Sequence, residues 1–146
     1  MQPSGTMTAP ADGAGAFGPA WRAAAADYVR YAGRIGFYDD AADRLAGLVP
    51  AGCRVLLDFG CGDGRFARRL LRSRPALAAG LRELVLLDVA PEMLAFTRDL
   101  APAGARVRRV VDDEGLARLP ADLPGRVEVI AANSALHLLR DAAYRL

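Results

Sequence analysis

The chain has 146 residues, 53% hydrophobic and 25% charged, with 19 basic against 17 acidic side chains and a net charge of +2. This is globular composition, enough for one modest domain with a real core. It shows neither the basic run of a nucleic-acid footprint nor an apolar run as long as a membrane span. All the basic residues are arginine, which excludes P-loop, Schiff-base and kinase-type lysines. The single histidine, His137, and the cysteines Cys53 and Cys61 cannot build a four-ligand zinc site of Cys and His alone. Two cysteines are no disulfide framework either, which suits a reducing compartment. The first twenty-one residues hold no Arg, Lys or apolar h-region, so no targeting segment is read and a cytoplasmic protein is expected.

In chain order, residues 1–18, rich in Gly, Ala, Pro, Ser and Thr, read as a flexible leader. Residues 19–50 read as two short helices broken near Gly33 and Gly36, with Ile35, Phe37, Tyr38, Ala42, Leu45 and Leu48 or Val49 at helical apolar spacing. RVLLDF (54–59) reads as a buried strand stopped by glycine, and RFARRLLRS (65–73) as a helix ended by Pro75. ELVLLDV (83–89) reads as a second buried strand. Pro91 then opens the helix PEMLAFTRDLA, with Met93, Phe96 and Leu100 on one side. RVRRVVDD (106–113) and RVEVIAAN (126–133) read as third and fourth strands, and SALHLLRDAAYRL as a last helix. Such alternation means an α/β fold with a mostly parallel sheet and helices on its faces.

The polar residues fall where such a sheet binds ligands, beyond the carboxyl ends of the strands. Asp58 ends the first strand, Asp88 the second, Asp112 and Asp113 the third, and Asn133 the fourth. The loop after the first strand carries Gly60, Gly62 and Gly64, with Cys61 and Asp63 between them, and Arg65 stands where a dinucleotide fingerprint wants its third glycine. Asp58 and Asp63 would repel a pyrophosphate, an effect Arg65 offsets in part, and would suit a ligand bearing an ammonium and a sulfonium. Asp88 can accept from both hydroxyls of a ribose, and Asp112 or Asp113 from an adenine amino group.

These stretches resemble the N-terminal half of class I S-adenosylmethionine-dependent methyltransferases. VLLDFGCGDG is similar to that family's glycine-rich first motif, and LVLLDVAPEML to its second, in which Asp88 would be the ribose acid. VVDDEGLARLP resembles the third-strand segment, with Asp113 the better match for the adenine acid, and VEVIAANSALHLL the fourth strand and its helix. The resemblance covers residues 40–146 and implies a Rossmann-like sheet, S-adenosyl-L-methionine as cofactor and a partial cofactor-binding domain over 51–146. It adds Val89 and Met93 to the residues expected at the cofactor. The family's fold has seven strands, whereas only four are legible here, so the C-terminus reads as a cut within a helix.

The expected function is methyl transfer to a small-molecule acceptor. Ser-Ala-Leu follows Asn133 in place of the Pro-Pro-Tyr or Pro-Pro-Phe of enzymes that methylate nucleobase or glutamine amino groups. The alternatives are a truncated or degenerate fold that binds S-adenosylmethionine without turnover, and an NAD-dependent oxidoreductase. No nucleic acid, membrane or metal is expected, and no catalytic residue is assigned. A nucleophilic Cys61 would need His137 as base, and a small residue in a tight turn explains it better. His137 itself reads more readily as a packing or capping residue than as one that deprotonates an acceptor. Ser134, His137 and Asp141 lack the G-x-S-x-G elbow of a hydrolase. Trp21, Tyr28, Tyr31, Phe37 and Tyr38 fit either a lid over the cofactor or packing of the N-terminal helices.

Overall fold

The computed structural model describes residues 17–112 and 119–133. Its elements are α1 (Phe17–Ala32), α2 (Gly36–Leu48), β1 (Val55–Phe59), α3 (Arg65–Ser73), α4 (Pro75–Gly80), β2 (Glu83–Asp88), α5 (Pro91–Ala95), β3 (Arg106–Val111) and β4 (Val129–Ala131). The four strands form one parallel sheet in the order β3-β2-β1-β4. Chain direction across the sheet therefore reverses at β1. The crevice between the carboxyl ends of β1 and β4 is the switch point at which such folds bind ligands.

β1 and β2 are buried along their whole length, as their unbroken apolar runs require. Successive side chains leave opposite faces of the sheet. Leu56, Leu84 and Leu86 pack with Ala42 and Ala46 of α2, Phe66 and Leu70 of α3, and Leu77 of α4. Leu57, Phe59, Val85 and Leu87 pack on the other side against Leu119, Leu123 and Val127 of the connection between β3 and β4. The expected Rossmann-like parallel α/β fold with preceding helices is the one observed. The expected last helix (134–146) and Asp113 lie outside the described residues.

Pro75 ends α3 as expected and also starts α4, because a proline at the first helical position lacks only an N–H that would be unpaired there. Three expectations are corrected. The helix from Pro91 stops at Ala95. The chain tightens into turns in which Phe96 and Thr97 donate to Met93 and Leu94. Arg109 of β3 reaches across to the Thr97 and Leu100 carbonyls at 2.6 and 3.2 Å. Phe96, expected on the apolar side, is 40% exposed, whereas Met93 and Leu100 are buried. The fourth strand shrinks to Val129–Ala131, since Arg126 and Val127 turn back to donate to the Leu123 carbonyl.

Ion pairs brace the sheet away from the crevice. Glu83, 3% exposed at the start of β2, accepts from Arg108 at 3.1 Å and Arg126 at 3.0 Å, and both arginines also meet Asp122. On the helical face, α3 is tied to α2 through Arg65 and Arg69 to Asp39, and through Arg69 to Asp43.

Candidate functional site

β1 ends in Asp58 and Phe59, and the loop that follows turns through three glycines with positive φ: Gly60 at 64°, Gly62 at 54° and Gly64 at 76°. The loop is pinned to β2 by two hydrogen bonds. The Cys61 N–H donates to the Leu87 carbonyl at 2.9 Å, and the Gly62 N–H donates to Asp88 Oδ2 at 2.8 Å. A small cleft open to solvent lies at the loop. Asp58, Gly60, Cys61, Gly62, Asp63 and Asn133 line it, together with Tyr28, Tyr38, Arg65 and Phe66, whereas the strand-end residues Asp88 and Asp112 are not in its lining.

The glycines do different work. A Cβ on Gly62 would meet nothing within 4 Å, so its lack of a side chain leaves open space. A Cβ on Gly64 would stand 2.7 Å from Leu100 Cδ1 and 3.1 Å from Thr97 Cγ2, so this glycine admits the segment after α5. Gly64 is thus explained by packing between elements.

Asp58 is fully buried, and neither carboxyl oxygen has a hydrogen-bond partner among the described residues. Burial first, then the charges of Asp88 and Asp63, push its pKa up to about 8, while the Ala67 N–H, which falls outside hydrogen-bond geometry, pulls the other way. Because the folded value lies above the unfolded one, the native state binds the extra proton, and stability falls as pH rises from about 4 through about 8. Asp58→Asn is expected to flatten this dependence. Between pH 5 and pH 8.5 the stability of the parent chain relative to the variant should drop by more than about 1.4 kcal/mol, as read by urea unfolding.

Asp88, 7% exposed, accepts from Gly62 and, at 3.0 Å, from the Ala90 N–H. Burial raises its pKa, and its backbone hydrogen bonds offset part of the rise. A carboxylate has about four lone-pair positions, so acceptor capacity remains for a diol. Asp112 is buried, and its N–H donates to the Asp88 carbonyl at 3.1 Å. Val89 and Met93 pack with Ala25, Trp21 and Tyr28 of α1, the last of which also lines the cleft.

The thiol of Cys61 is pushed well above its ordinary pKa by burial and by Asp58, Asp88 and Asp63, the reverse of what nucleophilic activation needs. Arg65 donates to Asp39 at 2.6 Å and to Asp63 at 3.1 Å, so it neutralises the loop aspartate and offers no free fork to a phosphate. Trp21, Tyr28, Tyr38 and Phe37 form a chain of edge-to-face contacts with centroids 5.1 to 6.1 Å apart. Only Tyr28 and Tyr38 of this group reach the cleft, while Phe37 is 66% exposed, as is Tyr31 at 58%. Burial, then Tyr38 and Asp63, hold the Tyr28 phenol neutral, with its pKa pushed up to about 12. Both tyrosines belong to the aromatics that the sequence offers either as a lid or as packing of the N-terminal helices, and the structure sets them at the cleft.

Among the described residues no His, Cys, Asp and Glu cluster could hold a metal ion, and no helix is long and apolar enough to cross a membrane.

The model of the methyltransferase domain family matches residues 56–146. An uncharacterized methyltransferase of Mycobacterium tuberculosis is 35% identical over 97 residues, which are 66% of this chain and 44% of that protein. A malonyl-[acyl-carrier protein] O-methyltransferase of Bacteroides thetaiotaomicron is 42% identical over 53 residues, 36% of this chain and 18% of that enzyme. The chain thus spans less than half the length of these relatives. Among solved structures, Streptomyces venezuelae DesVI is similar at 24% identity and a TM-score of 0.37, over 59% of this chain and 34% of that one. With a family model matched across β1 to the last residue, over more than half of its length, the chain belongs to the class I S-adenosylmethionine-dependent methyltransferases.

Proposed function

We propose that the cleft at the β1–β4 switch point holds S-adenosylmethionine and that the chain is the cofactor-binding part of a methyltransferase acting on a small-molecule acceptor. The observation that carries this reading is Asp58, a fully buried carboxyl without a partner among the described residues, in a cleft whose loop leaves backbone exposed at Gly62. An ammonium is the partner that such a group lacks. The residues present fit the remainder of the cofactor. Asp88 has acceptor capacity for the ribose hydroxyls, Asp112 or Asp113 would accept from the adenine amino group, and Asn133 would border the methionine end. The bound cofactor supplies an electrophilic methyl group on sulfonium.

The chain's contribution is alignment and exclusion of water. The glycine loop sets the depth of the ligand, while Tyr28 and Tyr38 border it from α1 and α2. A nicotinamide dinucleotide fits less well, because its pyrophosphate would meet Asp58 and Asp63 while Arg65 is already paired. A cytoplasmic setting would keep Cys53 and Cys61 as the free thiols they are here.

Calorimetric titration with S-adenosylhomocysteine is expected to show saturable binding at one site, and titration with NAD none. Tight NAD binding, or no response to S-adenosylhomocysteine, would overturn the reading. Cofactor binding without transfer to any acceptor would confine it to the non-catalytic alternative.

A further inference from the structure

Asp58 is fully buried, and neither of its oxygens has a partner among the described residues. An unpaired carboxylate in such a place is so costly that proteins keep the group protonated. The described groups around it favour that form. Asp88 faces it from β2 and Asp63 from the glycine loop, both acidic, and Cys61 stands beside it as a thiol. Tyr28 of α1, Tyr38 of α2 and Asn133 beyond β4 line the same cleft. From α3 the Ala67 N–H gives slight relief, while Arg65 is engaged by Asp39 and Asp63.

We infer that this cleft takes its ligand's ammonium in exchange for a proton: Asp58 is a carboxylic acid in the free protein and a carboxylate paired with the ammonium in the complex. The inference rests on the S-adenosylmethionine reading, which supplies the amine. The O–H bond of Asp58 breaks, its proton passes to solvent, and the carboxylate then accepts from the ammonium N–H. One positive charge enters and one leaves, so the buried net charge is unchanged. Asp58 thereby becomes the residue that reads the amine. A ligand that keeps the adenosine and lacks the α-amino group gives it no cation and leaves its proton in place. Affinity for the amine-bearing ligand rises with pH while the free acid still holds its proton.

The test is calorimetric titration of the chain with S-adenosylhomocysteine at pH 6.5, in buffers of different ionisation enthalpy. The observed heat should vary with the buffer as release of about one proton per ligand requires, and the dissociation constant should fall about tenfold between pH 6 and pH 7. 5′-Methylthioadenosine, which lacks the α-amino group, should bind with no proton released. Asp58→Asn should bind S-adenosylhomocysteine more weakly, with no release and no pH dependence over that range. Binding of S-adenosylhomocysteine without proton release by the parent chain overturns this inference alone. So does equal release with 5′-methylthioadenosine. Failure of S-adenosylhomocysteine to bind at any pH overturns the cofactor reading and this inference with it.

Discussion

Asp88→Ala is expected to weaken S-adenosylhomocysteine binding by at least about 100-fold, because two charge-assisted hydrogen bonds to a ribose diol contribute about 1.5–3 kcal/mol each. The geometry adds a second loss. Asp88 also accepts from the Gly62 and Ala90 N–H groups, so its carboxylate joins the glycine loop to the start of α5. Without it those two N–H groups lose their partner and the loop is no longer pinned at its middle glycine. Asp88→Asn separates the two roles, because its amide oxygen can still accept from one N–H while the doubly accepting carboxylate is gone. Calorimetry measures affinity, and urea unfolding in parallel measures the loop's contribution to stability. Unchanged affinity in the alanine variant would remove Asp88 from the site and with it the assignment of the cofactor's orientation.

Gly64→Ala is expected to destabilise the fold by about 2–4 kcal/mol, the sum of a left-handed conformation for a residue with a Cβ and of overpacking in a filled core. The backbone there has φ of 76°, and the new Cβ would lie 2.7 Å from Leu100 Cδ1. Leu100 is itself buried, and Thr97 on the other side is fixed by its hydroxyl donating to the Leu94 carbonyl at 2.8 Å and accepting from Arg109 at 2.9 Å. Gly62→Ala is the matched comparison. It has a similar positive φ and no neighbour within 4 Å, so only the backbone cost of about 1–2 kcal/mol applies. A shift in urea midpoint at least as large for Gly62→Ala as for Gly64→Ala would contradict the packing role given to Gly64.

The strands β1 and β2 and the helix α3 were legible because each has a strong local cause. Unbroken apolar runs end at glycine, and a helical segment ends before Pro75. The shorter extent of β4 and α5 was not legible, since it depends on contacts distant in sequence. Arg109 of β3 takes the carbonyls after α5, and the turn at Leu123 takes the amides before β4. Glu83 looked like an ordinary residue opening a strand. Its burial between Arg108 and Arg126 follows from the register of β2 on β3 and from the chain's return toward β1.

By itself the sequence determined the alternation of strands and helices, the glycine turn after β1, and the placement of Asp58, Asp88, Asp112 and Asn133 at strand ends, because these depend on local pattern and spacing. The tertiary structure decided which of these groups share a cleft and in what state. Strand order brings β4 beside β1, so Asp58 and Asn133 line one crevice. α1 and α2 add Tyr28 and Tyr38 to it, and the pairing of Arg65 with Asp39 withholds that guanidinium. The protonation of Asp58 is a sum over burial and over charges brought from other elements, and no window of sequence contains it.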